Sequence, residues 1–230
     1  NMSVILSSLY AQNPRPVLTI AAASDLSPLE PLFQEAFPQA DLTFSFAASG
    51  VLATQIENGA PFDLFLSANE DFVQRLVKSR KVVKEEIQIY AIGRIGLWAK
   101  SGAIRKLEDL LQPAVQTIAV ANPETAPYGK AAMAALSRAG VLEPIKPKLV
   151  FGQNIRQAFQ FAETGNTTCG IISWSLIYDK GGYLIPDELH PPIRQVAAPI
   201  RRKGQSTKLA EAFIEFLQSD AGRSIFARHG

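Results

Sequence analysis

The sequence predicts an α/β fold in two lobes, each a mainly parallel sheet flanked by helices. Three observations carry that expectation. Short apolar runs alternate with helix-periodic segments from residue 17 onward. The alternation breaks over 86–100, where two extended pieces follow one another with no helix between them. A second strand–helix series then begins, and two more helices close the chain.

The elements follow in order. Val17-Leu18-Thr19-Ile20-Ala21-Ala22-Ala23 is a buried-strand run of small and β-branched residues. Ser24 and Asp25 come next, where a helix N-cap belongs, before the periodic segment 29–37. Asp41-Leu42-Thr43-Phe44-Ser45-Phe46-Ala47 alternates like a strand, Ala48-Ser49-Gly50 closes it, and 51–56 reads as a short helix. Asp63-Leu64-Phe65-Leu66 is a third strand, with Ser67-Ala68-Asn69 ahead of a helix over 71–78. After the extended pair 87–92 and 95–99 come a short helix at 107–111, a strand at 117–121 and a helix at 130–139 ended by Gly140. A strand at 148–151 is followed by Asn154 as cap of a helix over 155–163, then by a buried strand at 168–173. The run 196–200 is a strand leading back to the first lobe. Leu209, Phe213, Phe216 and Leu217 share one face of a helix, and a last helix covers 221–226. The first lobe is therefore expected over 17–88 and 197–230, the second over 89–196, with 1–16 outside both.

Two of these junctions share one device. A serine closes a strand and opens a helix at Ser24 and again at Ser49. Such places present free backbone N–H groups and the positive end of the helix dipole, a ready site for an anion. A cap without a ligand is the plainer reading of either serine alone. Two copies on consecutive β-α units stand side by side at the carboxyl edge of one sheet, where α/β proteins bind ligands.

Composition excludes other classes. The 230 residues are 47% hydrophobic with net charge +2, and the only basic cluster is Arg201-Arg202-Lys203, read as a solvated turn. No nucleic-acid surface is expected. Cys169 is the only cysteine and sits in an apolar run. The two histidines, His190 and His229, are badly placed for a metal site or a triad. No run is long enough to span a membrane. Residues 1–12 resemble either the remnant of a secretory signal or a flexible arm.

Ala22-Ala23-Ser24-Asp25-Leu26, Ala47-Ala48-Ser49-Gly50 and the block Gln55-Ile56-Glu57-Asn58-Gly59-Ala60-Pro61-Phe62-Asp63-Leu64-Phe65-Leu66-Ser67-Ala68-Asn69 resemble the periplasmic molybdate-binding proteins of bacterial ABC transporters. Asn122-Pro123-Glu124, Pro127-Tyr128-Gly129 and Gly170-Ile171-Ile172 add to the likeness. The resemblance implies a periplasmic venus-flytrap binding protein, type II-like. It implies a monomer with no cofactor and no catalysis, secreted through an N-terminal signal. Its partners would be molybdate or tungstate and a membrane permease. It further implies that the oxyanion is held by the hydroxyl and amide of Ser24 and Ser49, and by the backbone N–H groups of Tyr128 and Ile155. Several members add a tyrosine hydroxyl where this chain has Ser173, so the fifth donor is Ser173, Tyr128 or Tyr178.

The donor set also makes sense without the family. A fully ionised oxyanion offers only acceptors, so its site needs only donors. Hydrogen phosphate would need an acceptor as well, and Asp25 is the nearby carboxylate. Sulfate, phosphate or an organic acid is the alternative cargo. The other rivals are an enzyme using Ser24 or Ser49, which lacks a Gly-x-Ser-x-Gly elbow, and an effector-sensing regulator domain.

Overall fold

The computed structural model describes residues 13–230, and the signal remnant or arm expected over 1–12 lies outside the described residues. Ten strands and nine α-helices are described. The strands are β1 Val17–Ala23, β2 Asp41–Ala47, β3 Leu64–Ser67, β4 Gln88–Gly93, β5 Ile95–Trp98, β6 Ile118–Ala121, β7 Leu149–Gly152, β8 Cys169–Ser173, β9 Tyr183–Leu184 and β10 Ile193–Pro199. The helices are α1 Glu30–Ala36, α2 Ser49–Glu57, α3 Asp71–Lys78, α4 Pro127–Arg138, α5 Leu142–Ile145, α6 Ile155–Glu163, α7 Trp174–Ile177, α8 Lys208–Gln218 and α9 Asp220–Arg228. A 3-10 helix, Ser24–Leu29, joins β1 to α1.

Two five-stranded sheets result, one in each lobe, ordered β2-β1-β3-β10-β4 and β7-β6-β8-β5-β9. Each is mainly parallel with a single reversed strand. In the first, β10 runs against both neighbours, β3 and β4. In the second, β5 runs against β8 and β9. The chain passes from β4 in one sheet to β5 in the other through Arg94 alone.

Strand alternation explains the layers of the first lobe. Leu18, Ile20 and Ala22 of β1 face a cluster with Phe33, Phe37, Phe213 and Leu217, from α1 and its end and from α8. Ala21 faces the opposite cluster, with Leu52, Ile56, Val73 and Leu76 of α2 and α3. The C-terminal helix α8 thus covers the first sheet, with Phe213 edge-on to Phe37 at 5.1 Å between ring centres. The second core surrounds Ile118, Val120, Ile171 and Ile172. Its cluster also takes in Ala23, Ala48 and Ala68 from the strand ends of the first lobe, so the two lobes meet at those ends.

The basic cluster is not simply a solvated turn. Arg201 pairs with Glu86 and Arg202 with Asp63, and Asp63 also accepts from the Thr19 N–H at 2.8 Å. These pairs pin the chain after β10 to the segments just ahead of β4 and β3. Cys169 is fully buried, and burial pushes its thiol up to about 12.

Candidate functional site

Register brings the first set of polar groups to one edge. Ala23 is paired with Ala47 and Ala22 with Leu66, so Ser24, Ala48 and Ala68 sit together just past the carboxyl ends of β1, β2 and β3. In the second sheet Ala121 is paired with Gly152, which aligns the turns leading into α4 and α6. These turns differ in length, but both end in a helix start.

Neither serine caps its helix. The N-cap positions are Ala23 and Ala48, and no side-chain capping bond is made at either. Ser24 is the first residue of the 3-10 helix and Ser49 the first of α2. The Ser24 hydroxyl is buried and has no hydrogen-bond partner among the described residues. Ser49 is wholly buried, and its Oγ accepts from the Ala68 N–H at 2.9 Å. Its own proton is then left to point elsewhere. Burying a hydroxyl without a partner is costly, which marks Ser24 as a group in want of an acceptor, whereas Ser49 already holds one contact, to Ala68.

The second lobe offers backbone. Tyr128 lies in the first turn of α4 and Ile155 opens α6. First-turn N–H groups have no acceptor within their own helix. Asn154 caps α6, as its position in the sequence predicts, and accepts from the Gln157 N–H at 2.9 Å. That spares the Ile155 N–H. Gly129 lets α4 begin hard against β6: a methyl there would lie 1.9 Å from the Ala121 carbonyl oxygen.

Three contacts bring the two sets together. The Gly50 N–H donates to the Thr125 carbonyl at 2.9 Å, setting α2 against the loop before α4. A methyl on Gly50 would come within 3.1 Å of Thr125 Cα and 2.8 Å of the Phe72 ring, so only glycine permits this approach. The Tyr128 hydroxyl donates to Asp25 Oδ2 at 2.9 Å. Ser24, Ser27, Pro28 and Phe46 line a cavity of about 380 Å³ with Asn154, Arg156, Gln157 and Gln160 of the facing helix. Of the four expected anion donors Ser24 lines this cavity, while Ser49 precedes Gly50 at the Thr125 contact, Tyr128 meets Asp25, and Ile155 lies between the cavity residues Asn154 and Arg156.

The three candidates for a fifth donor separate. The Tyr128 hydroxyl is used on Asp25. Tyr178 is 36% exposed, and its ring packs on His229. Ser173 ends β8, wholly buried, and its Oγ accepts from the Ser175 hydroxyl at 3.3 Å.

Charge near the cleft has two sources, Arg156 and Asp25, both readable in the sequence as charges beside the two helix starts but not as a rim cation and a buried acid. Arg156 is exposed at its rim, where a cation attracts anions over distance. Its position two residues after the cap was the only available signal. Asp25 is buried, and burial, only partly offset by the Tyr128 hydroxyl, raises its pKa from the ordinary 3.8 to about 7. Burial likewise raises the Tyr128 and Tyr90 hydroxyls well above their usual 10.0. His190 Nδ1 lies 2.8 Å from the Pro191 carbonyl, and His229, which shares a cavity with Asp25, has its Nδ1 2.7 Å from the carbonyl of Ile225. Among the described residues no cluster of His, Cys, Asp or Glu could hold a metal ion. What the cleft can do chemically is hold a small anion by neutral donors.

Comparison with known proteins places this arrangement. A family model described as bacterial extracellular solute-binding protein matches residues 18–230. The molybdate-binding protein ModA of Azotobacter vinelandii is 37% identical over 194 residues, 81% of this chain and 77% of that protein. That of Rhodobacter capsulatus is 34% identical over 195 residues, 82% of this chain and 76% of that protein. The solved structure of a periplasmic molybdate-binding protein of Azotobacter vinelandii superposes with a TM-score of 0.86 at 25% identity, covering 93% of this chain and 97% of that one.

Proposed function

This chain belongs to the bacterial extracellular solute-binding proteins, and on that premise we propose that it binds molybdate between its lobes for delivery to the permease of an ABC transporter. The observation that carries this reading is the buried Ser24 hydroxyl with no partner, set in a cleft whose other candidate groups are also donors. Molybdate is acceptor-only at neutral pH and tetrahedral, so it satisfies the serine hydroxyls and first-turn amides without needing an acceptor in return. Tungstate, nearly the same in size and charge, suits the same donors.

In this reading Ser24 and Ser49 donate through hydroxyl and amide, and Tyr128 and Ile155 through their amides. Ser173 is the candidate left for a fifth, minor donor, since the Tyr128 hydroxyl is engaged and Tyr178 lies against His229. The lobes divide at the two links between sheets, Arg94 and 190–192. The sequence boundaries 88/89 and 196/197 instead fall at the start of β4 and inside β10, strands whose ladder belongs to the first sheet. The protein works as an extracytoplasmic monomer. It binds without turnover, in keeping with the solute-binding family to which it belongs.

A thermal-shift panel of molybdate, tungstate, sulfate, phosphate and chromate tests the proposal. Ligand at about 100 times its dissociation constant stabilises the fold by roughly 2.7 kcal/mol. For a chain this long the expected rise in Tm is about 5–10 °C, with molybdate and tungstate. A rise with sulfate or phosphate alone would assign the cleft to another anion.

A further inference from the structure

One buried contact joins the lobes through side chains that face each other. Tyr128, on α4, donates its hydroxyl to Asp25 Oδ2, in the 3-10 helix of the first lobe, at 2.9 Å. The two residues are 103 apart in sequence and only 3% and 1% exposed. The same hydroxyl rests on the hinge: a methyl on Gly93, the last residue of β4, would lie 2.8 Å from it. Asp25 directly follows Ser24, and Tyr128 brings its own amide to the cleft. The groups that would hold an anion and the pair that holds the lobes therefore share one stretch of backbone on each side.

Other bridges across the cleft are weaker or fixed in the main chain. Lys130 and Asp71 are exposed and 3.5 Å apart, where water screens the pair. The Gly50–Thr125 bond is backbone to backbone. Asp25 alone buries a carboxylate at the interface, and its Oδ1 has no partner. The groups around it are Tyr90, Arg94, Tyr128, Ser175, Gln195, Arg223 and His229 along one cavity, and Arg156, Glu163, Tyr178, Asp179 and Lys180 along its neighbour.

We propose that Asp25 and Tyr128 form a closure clasp, a positioning pair that holds the lobes together with or without an anion and so sets the affinity that the donors deliver. A hydrogen bond to a carboxylate out of reach of water is among the stronger kinds. In an open cleft both groups are hydrated, so the bond favours closure. Apparent affinity scales with the fraction of molecules already in the competent, closed form. Removing the hydroxyl leaves buried Asp25 in the closed state without a side-chain donor among the described residues, and opening relieves it. The inference rests on the two-lobed reading of the cleft and not on which anion fills it.

Energy transfer between dyes on Lys78→Cys and Glu143→Cys, exposed positions on α3 and α5, reports closure with no ligand present. Tyr128→Phe should lower the closed fraction of the unliganded protein and speed molybdate release about tenfold. Gly93→Ala, which crowds the hydroxyl but leaves it in place, should give an intermediate effect. In Asp25→Ala the Tyr128→Phe change should add little further, because the partner is already gone. An unchanged closed fraction in Tyr128→Phe, or additive losses in the double variant, would overturn the clasp. Should Asp25→Ala fail to fold, Tyr128→Phe and Gly93→Ala decide alone. If the wild-type protein ignores molybdate yet closure follows this pattern, the cargo assignment falls and the clasp stands.

Discussion

Four helix starts in this protein fall into two kinds. At α6 and α9 the residue before the helix, Asn154 or Ser219, turns its side-chain oxygen back onto a first-turn amide, that of Gln157 at 2.9 Å or Gly222 at 3.3 Å. At the 3-10 helix and at α2 the preceding residue is an alanine, and the serine stands one place later, inside the first turn. A shift of one residue separates a side chain consumed by its own helix from one left free for a guest. The capped helices gain stability from their polar residue, whereas the uncapped ones give that up and expose a donor to the cleft.

Alanine substitution sharpens this contrast. Ser24→Ala and Ser49→Ala should each weaken molybdate binding about 10- to 100-fold, because a hydrogen bond to a charged group contributes about 1.5–3 kcal/mol. Ser219→Ala should leave affinity alone and cost about 1 kcal/mol of stability, a fall of roughly 2–4 °C in Tm. Calorimetric titration beside thermal melts separates the two. If Ser24→Ala and Ser49→Ala lowered Tm and left affinity untouched, the serines would be caps after all and the contrast would collapse.

The second prediction concerns Asp25, in the same first turn as Ser24. Its pKa is raised from 3.8 to about 7, so the folded chain keeps a proton that the unfolded chain has released in between. The stability this contributes is full below the unfolded value and lost as pH rises through the folded one, roughly pH 4 to 7. Asp25→Asn should flatten that part of the curve of Tm against pH. Equal slopes in variant and wild type would show that burial does not hold the proton there.

Ser173→Ala carries the smallest expected change. A serine reaches much less far than the tyrosine it replaces by resemblance, and the Ser173 Oγ already accepts from Ser175. Affinity should fall by less than about threefold, within the range of minor substitutions near 0.5 kcal/mol. A loss as large as that of Ser49→Ala would make Ser173 a full member of the donor set.

Much of this was legible in the sequence because it depends on local pattern. Apolar runs and helix periods marked the strands and the amphipathic helices, and Asn154 was readable as a cap from its place before a periodic segment. The serines were readable as a pair, but not their release from capping, since that turns on one residue of register at the end of β1 and β2. The Asp25–Tyr128 bond was out of reach, because 103 residues and two lobes separate its partners. Arg201 and Arg202 looked like surface charge for the same reason: their acids, Glu86 and Asp63, lie far back in the chain.

The single-residue link at Arg94 has a mechanical consequence. Each ladder is complete within its own sheet, and β4 and β5 belong to different ones. On the lobe division proposed above, opening would turn a few backbone dihedrals at Arg94 and at 190–192 without unzipping a strand. Such a door hangs on two pins rather than on a sheet, so its opening belongs to the microsecond-to-millisecond range of domain hinges. How long it stays shut is then governed by the groups in its frame, which a single point substitution can change while leaving both leaves of the door intact.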